Sequence, residues 1–171
     1  MKNINTKGIQ KYIEEAKDNP ELFKRKMQVQ VKWEMDENLP QMYSEMEIPS
    51  GTKVVVKCDS APFMGGKGIA PNPLQYCLFG MASCFLATFA TVAHERGLNI
   101  KSLSITAENI VNLKRPFGIS DEPVVEKIKM TINVESENKP EDIESAKKIA
   151  MERCPAVWCI TNPIPLEVVI K

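Results

Sequence analysis

The sequence predicts an α+β fold in which antiparallel strands pack with one long, apolar helix. Three observations predict it: several short segments alternate between apolar and polar residues, residues 74–96 are apolar nearly all the way round, and a second helix is indicated further along the chain. Alternation with a period of two is typical of half-buried strands, whereas an apolar run of this length exceeds the usual strand. After an N-terminal helix, the predicted order is β-β-β-α-β-β-α-β.

The first part of the chain is charged and helix-like. Residues 6–25 predict a short helix whose apolar residues share one face: Ile9, Tyr12, Ile13 and Ala16. We interpret residues 1–26 as an N-terminal helical extension. We interpret residues 27–171 as one domain, because no repeat, low-complexity tract or linker divides them.

Three alternating segments follow this extension. Residues 27–33, 42–48 and 52–58 each predict a strand, and short turns at 36–40 and 49–51 join them. Consecutive strands joined by short turns form an antiparallel meander. The Gly/Pro-rich segment 59–73 then predicts a loop without the spacing of a phosphate-binding loop.

The long helix has recognisable start and stop residues. Asn72 is a good N-cap, Pro73 suits the first helical position, and Gly97 suits the residue after the C-terminus. At ~1.5 Å per residue the helix is roughly 35 Å long. One small domain hardly covers so long an apolar helix, so we expect a second subunit to shield it in an intertwined homodimer. A membrane span is the competing interpretation, and the polar residues within the helix weigh against it: Gln75, Ser83, Thr88 and Thr91.

The remaining elements follow this helix. Residues 101–111 and 124–135 predict two strands, and a second helix is predicted from Pro140 to about Arg153. Glu141 and Asp142 stand in its first turn, where negative charge suits the helix dipole. Pro155 interrupts the helix, and residues 166–170 predict a final short strand.

Composition excludes several classes of function. Lys plus Arg equals Asp plus Glu at 22 each, which gives no electrostatic footprint for nucleic acid. The N-terminus shows no apolar run after its first lysine, so we expect a cytoplasmic protein without a secretory leader. Because there is no C-x-x-C motif and His94 is the only histidine, we expect no metal site and no cofactor.

Thiols are the remaining candidates for chemistry. The chain has five: Cys58, Cys77, Cys84, Cys154 and Cys159. An odd number in a reducing context argues against a structural disulfide framework. Cys77 and Cys84 are seven residues apart on the long helix, so they face the same way. The alternative is that this stripe is only a packing seam, where Gly80 would let another backbone approach the helix closely.

Cys154 stands directly before Pro155. A residue before proline is disfavoured in the helical conformation, whereas proline suits a helix start. Cys154 is therefore a candidate N-cap of a short helical stretch over residues 156–161. A thiolate at such a position has a lowered pKa. The alternative is a buried structural cysteine, which is common.

These residues resemble a known family. The motifs are NPLQ at residues 72–75, GMASC at 80–84, AHERGL at 93–98, and Cys154-Pro155 about 70 residues after Cys84. Together they are similar to the OsmC/Ohr family, and the resemblance covers residues 27–171. It implies an OsmC-like α+β swapped homodimer whose two long central helices pack back to back.

The resemblance also implies a function in the oxidative stress response. Cys84 matches the peroxidatic thiolate, which attacks an organic hydroperoxide and becomes a sulfenic acid. Cys154 matches the resolving thiol, which forms a disulfide with it, and a dithiol such as a dihydrolipoyl group then reduces both. The expected partners are a second copy of the chain, a small hydroperoxide and this reductant, with neither nucleic acid nor membrane.

Two positions depart from the family pattern. Leu74 stands where peroxidase members have a glutamate, and no arginine lies between Lys26 and Cys84. Gln75 and Arg25 are therefore the candidate supporting residues. Four lysines are alternatives to the arginine, although lysine is not equivalent where bidentate geometry counts: Lys32, Lys53, Lys57 and Lys67.

Two functions follow from this pattern and its departures. The first is a thiol-dependent peroxidase that is peroxiredoxin-like in activity. The alternative is a non-catalytic OsmC-like protein that binds a small molecule in an apolar pocket lined by Phe79, Phe85 and Trp158.

Overall fold

The computed structural model describes residues 3–170. These residues form two compact units: an N-terminal unit of residues 5–77, and a C-terminal unit of residues 78–170 to which residues 3–4 also belong. The expected boundary after residue 26 stays a prediction.

The N-terminal unit begins with helix α1, Thr6–Asp18, which the side chain of Asn5 caps by accepting the Gly8 N–H at 3.0 Å. The sequence predicted this helix as far as residue 25, and that end is wrong. Pro20 has no N–H to continue the helical hydrogen bonds, so the chain passes into a 3₁₀ turn, Pro20–Phe23. The turn brings the Phe23 ring edge-on to Tyr12, with 6.2 Å between ring centroids.

Three antiparallel strands follow in the order β1-β2-β3: Lys32–Trp33, Met42–Glu47 and Lys53–Cys58. The second and third agree with the predicted segments. The first is much shorter than the predicted 27–33, because β2 pairs with only its last two residues. Val29 and Val31 are 59% and 57% exposed. Alternation marks a possible strand, but a strand forms only where a neighbour takes up its backbone hydrogen bonds.

The loop after β3 is held by one buried carboxylate. Asp59 is 1% exposed, and its Oδ2 accepts the backbone N–H groups of Lys67 and Ile69, each at 3.1 Å. The Gln41 side chain bridges the same loop, accepting from the Ser60 N–H at 3.1 Å. The backbone hydrogen bonds, that from Ile69 foremost, hold the pKa of Asp59 below its usual range.

Helix α2, Pro73–Glu95, has 23 residues, as the sequence predicted. Asn72 and Gln75 cap its start reciprocally, because each side-chain oxygen accepts the other residue's backbone N–H at 2.9 Å. Gly97 ends it with φ +71, a left-handed conformation that glycine adopts without steric cost. The first turn of α2 belongs to the N-terminal unit and residues 78–95 to the C-terminal unit.

The C-terminal unit packs α2 with two long strands and a helix. Strands β4, Ile100–Val111, and β5, Val125–Ser136, form an antiparallel pair in which every second residue is half-buried. Helix α3, Pro140–Arg153, follows as predicted, and a short helix α4, Pro155–Thr161, comes directly after it. The buried core consists of residues of α2, α3 and α4, with Leu98 after the end of α2 and Cys154 between α3 and α4: Phe85, Phe89, Val92, Ala93, Leu98, Ala146, Ala150, Cys154 and Val157. Half-buried residues of β4 and β5 pack against it.

The predicted last strand is not formed. Residues 166–170 have no regular structure, and Leu166, Val168 and Ile170 are 88%, 82% and 96% exposed. The segment is apolar, which is why a strand was predicted, but no strand of the described chain pairs with it.

Helix α2 is the one helix of residues 3–170 with the length and composition of a membrane span, at a mean hydropathy of 1.7 over 18 residues. Such a helix is weak evidence for a membrane, because core helices of globular domains have the same properties. Phe85, Phe89 and Val92 are buried in the core of the C-terminal unit, although only 22% of the 18-residue window is buried within the described chain.

Candidate functional site

Two thiols from distant parts of the sequence meet in the C-terminal unit. The sulfur of Cys84, in the middle of α2, lies 3.7 Å from the sulfur of Cys154, between α3 and α4. Cys84 is half-buried and Cys154 is fully buried. The fold thus brings the two predicted catalytic residues together across 70 positions of sequence.

The backbone at Cys154 is fixed from both sides. Pro155 forces the preceding residue out of the helical conformation, and Cys154 accordingly has φ −75 and ψ 118. Its N–H still donates to the Ala150 carbonyl at 2.9 Å, and its carbonyl accepts the Trp158 N–H at 3.0 Å. Cys154 therefore ends α3 and starts α4 at once, which holds its side chain in the core.

Cys154 occupies the predicted N-cap position, but its side chain makes no cap hydrogen bond. The backbone N–H of Ala156, in the first turn of α4, acts to lower the pKa of Cys84. The start of α4, which was expected to act on Cys154, thus also acts on Cys84.

Cys84 is placed by the packing of its helix. The next residue, Phe85, and Phe89 one turn further on are 3% and 0% exposed, which fixes the rotation of α2 about its axis. At the end of this helix, Glu95 pairs with Arg153 of α3 at 2.8 Å. Both side chains of this pair are substantially exposed, so it orients the helix ends and contributes little stability.

The electrostatics of the site favour the protonated thiol. Burial, the largest cause, raises the pKa of Cys84, and the neighbouring thiols Cys154 and Cys159 raise it further. The Ala156 N–H acts in the opposite direction and does not outweigh burial. None of the described groups that shift this pKa is a cation. An unperturbed thiol of pKa about 8.5 is only ~3% thiolate at pH 7, and Cys84 has less.

The two sulfurs are in reach of a disulfide. A disulfide needs a separation of about 2.05 Å, so sulfurs at 3.7 Å must approach by a further ~1.7 Å. Within residues 3–170, no group of three or more His, Cys, Asp or Glu side chains that could hold a metal ion is found.

The two candidate supporting residues belong to the N-terminal unit and are engaged there. Arg25 lies over the Tyr12 ring at 5.2 Å and donates to the Tyr12 hydroxyl at 3.2 Å. Gln75 is used in the cap of α2 with Asn72. Their action on Cys84 stays a prediction.

The three predicted pocket residues have different surroundings. Phe85 lies in the buried core, whereas Phe79 and Trp158 are 70% and 55% exposed. The apolar pocket that they were expected to form stays a prediction.

Sequence reasoning missed the position of Cys159. It was not among the candidate site residues, but its charge raises the pKa of Cys84. Cys159 and Cys84 are 75 residues apart in the sequence, so spacing along the chain could not indicate their proximity.

The chain thus combines an α+β fold built on a long apolar helix with two thiols that come together from distant segments. The model of the OsmC-like protein family matches residues 65–169, more than half of the chain. The chain therefore belongs to the OsmC-like protein family, as the motifs predicted.

Solved structures agree with this assignment. The OsmC-like protein from Mycoplasma pneumoniae is 20% identical, with 80% of this chain and 88% of that chain covered and a TM-score of 0.60. The organic hydroperoxide resistance protein OsmC from Legionella pneumophila is 21% identical, with 80% of this chain and 91% of that chain covered and a TM-score of 0.55. The organic hydroperoxide resistance protein from Elizabethkingia anophelis is 12% identical, with 78% of this chain and 88% of that chain covered and a TM-score of 0.57.

At these identities the likeness shows the fold alone, and it confirms the predicted OsmC-like α+β architecture. No curated protein matches the chain.

Proposed function

We propose that this protein reduces organic hydroperoxides, with Cys84 as the attacking thiol and Cys154 as the resolving thiol. The observation that carries the proposal is the 3.7 Å separation of their sulfurs. Two cysteines that only pack in a core do not need their sulfurs this close together. A sulfenic acid that must be resolved needs a second thiol at such a distance. The organic hydroperoxide resistance proteins among the structural neighbours support the choice of substrate class.

The proposed cycle balances as follows. The Cys84 thiolate attacks one oxygen of the hydroperoxide, the O–O bond breaks, an alcohol leaves after taking up a proton, and Cys84 becomes a sulfenic acid. The Cys154 thiolate attacks the Cys84 sulfur, the disulfide forms and water leaves. A dithiol of the dihydrolipoyl kind then transfers two electrons to the disulfide and becomes a disulfide itself. No cofactor takes part. A cytoplasmic location, which keeps thiols reduced, suits this cycle.

We place this cycle in a homodimer. Phe79 on α2 is 70% exposed, and a side-chain carbon added at the next residue, Gly80, would meet nothing within 4 Å. A second copy packed along this part of α2 would cover both residues. Sedimentation equilibrium at micromolar concentration measures the state directly, and a monomer would contradict this part of the proposal.

The activity is tested by following consumption of cumene hydroperoxide with dihydrolipoamide as reductant. We expect Cys84→Ser to reduce the rate by about a hundredfold or more, because the thiolate is the nucleophile. Cys77→Ser is the matched control, since Cys77 is an exposed thiol on the same helix. Equal rates for wild type and Cys84→Ser would end the proposal.

Cys154 is tested separately from Cys84. In Cys154→Ser, Cys84 should still consume one equivalent of hydroperoxide, and its sulfenic acid should be trapped by dimedone, because the buried resolving thiol is missing. A Cys154→Ser variant that forms no more dimedone adduct than wild type would contradict the resolving role.

A second function is favoured by the raised pKa of Cys84. A mostly protonated thiol suits an OsmC-like protein that binds a small apolar or thiol-containing molecule without turnover. Leu74, 42% exposed at the position of the family's glutamate, points the same way. A rise in melting temperature with a panel of acyl and thiol ligands, in a protein that consumes no hydroperoxide, would favour this alternative.

A further inference from the structure

The end of helix α3 contacts helix α2 at two places. Arg153, the last residue of α3, pairs with Glu95, the last residue of α2, at 2.8 Å. The next residue along the chain is Cys154, whose sulfur lies 3.7 Å from that of Cys84. Two consecutive residues therefore attach to the same helix, one through an ion pair and one through a thiol.

Both contacts lie on one face of α2. Cys84 and Glu95 are eleven residues apart, which at about 3.6 residues per turn is close to three whole turns. Their side chains therefore leave the helix in nearly the same direction, at points roughly 16 Å apart along its axis. Two attachments at this separation resist a rotation or a slide of the α3 end along α2, which a single contact would permit.

The position of Glu95 is unfavourable for its own helix. The last turn of a helix favours cations and disfavours carboxylates, because the helix dipole is negative there. Arg153 at the end of α3 suits its helix in this respect, whereas Glu95 at the end of α2 does not. The pair with Arg153 is the contact that accounts for a carboxylate at this place.

The ion pair is too exposed to hold the fold together. The side chains of Arg153 and Glu95 are 57% and 36% exposed, and such pairs contribute little to stability because water and salt screen the charges. Closing a disulfide is more demanding than folding, since the two sulfurs must come to about 2.05 Å with a defined torsion. A contact that only narrows the range of positions of the α3 end therefore affects the disulfide more than it affects stability.

We propose that Glu95 and Arg153 are positioning residues, which hold the end of α3 in the register on α2 that brings the Cys154 sulfur to the Cys84 sulfur. They do not touch the reacting atoms, and they act by raising the equilibrium constant for closing the disulfide. The inference rests on the Cys84/Cys154 dithiol of the proposed function.

The first test measures the disulfide equilibrium of the full-length protein in glutathione buffers. The two thiols give two electrons and two protons to oxidised glutathione, which becomes two molecules of reduced glutathione. Samples are quenched with acid and alkylated, and the peptide pair linked through Cys84 and Cys154 is quantified by mass spectrometry. We expect Glu95→Gln and Arg153→Gln each to lower the equilibrium constant by about two- to fivefold, which is what an exposed ion pair can contribute.

A control variant and a rescue variant make this test specific. Glu108→Gln also removes an exposed ion pair, that with Lys129 at 3.1 Å, but both of its residues belong to the strands β4 and β5. It should leave the equilibrium constant unchanged. The double variant Glu95→Arg/Arg153→Glu restores opposite charges at the two positions and should recover most of the wild-type value.

The second test measures unfolding of the reduced proteins by urea. Glu95→Gln should not lower the free energy of unfolding, because loss of the carboxylate relieves its unfavourable interaction with the dipole of α2. A weaker disulfide at undiminished stability distinguishes positioning from a general structural role. A loss of stability large enough to account for the weaker disulfide would contradict the inference.

Equal disulfide equilibria in wild type and Glu95→Gln, or no recovery in the charge-reversed double variant, would each overturn the inference. Glutathione forms the disulfide without any hydroperoxide, so these outcomes do not depend on the substrate. Failure of the proposed function would show differently, as no hydroperoxide consumption by wild type.

Discussion

The reactivity of Cys84 should rise steeply with pH. Burial and the neighbouring thiols raise its pKa above the ordinary thiol value, so the thiolate is a minor species throughout the neutral range. Below its pKa, the thiolate fraction of any thiol increases tenfold per pH unit. Raising the pH from about 6 to about 8 should therefore increase the alkylation rate of Cys84 roughly a hundredfold.

The measurement is a short pulse of iodoacetamide at each pH, followed by mass spectrometry of the peptide that contains Cys84. Glutathione in the same buffer corrects for the reagent. Cys154→Ala gives a second profile, displaced to lower pH, because the hydrogen bond and charge of Cys154 raise the Cys84 pKa. Cys77→Ala should leave the profile unchanged.

One result would refute the reasoning: an alkylation rate that is already constant below pH ~7. Such a plateau means a thiolate with a lowered pKa, and it would require a cation or further hydrogen-bond donors beside Cys84. It would also remove the observation that favours a binding protein without turnover.

Three further predictions concern stability. Phe89→Ala should lower the free energy of unfolding by about 3–5 kcal/mol in urea titrations, because Phe89 is 0% exposed; Met35→Ala, at an 88% exposed site, should change it by less than about 0.5 kcal/mol. Gly97→Ala should cost roughly 1–2 kcal/mol in the same assay, since φ is +71 there. Asp59→Asn should lower the melting temperature at pH 7 and much less at pH 3. The folded-state pKa of Asp59 is lowered, so its contribution exists above the unfolded-state pKa and is lost as pH falls through the folded-state pKa. An equal loss at both pH values would contradict this account of the Asp59 loop.

Local sequence features predicted the local structure well. Asn72, Pro73 and Gly97 marked the ends of α2, and Pro155 marked the break between α3 and α4. Each of these residues acts through its own backbone or its nearest neighbours. Such effects are the same in any fold, which is why one sequence suffices to find them.

Strand pairing was the part that local features did not determine. Residues 27–31 and 166–170 have the apolar character of strands but lack a pairing neighbour in the described chain. The approach of Cys84 to Cys154 was expected only from the family resemblance, because spacing along the chain does not indicate a contact between residues 70 positions apart. The proximity of Cys159 to Cys84 also depends on the fold and was not predicted from the sequence.

The double use of Cys154 by α3 and α4 has a consequence for cycling between oxidation states. Its amide and carbonyl are hydrogen-bonded to Ala150 and Trp158, and neither of these bonds involves its sulfur. A change of χ1 between staggered wells swings a cysteine sulfur by about 3 Å, more than the gap to be closed. In the proposed cycle, the Cys84–Cys154 disulfide can thus form by torsion of one side chain on a stationary backbone, without melting a helical turn.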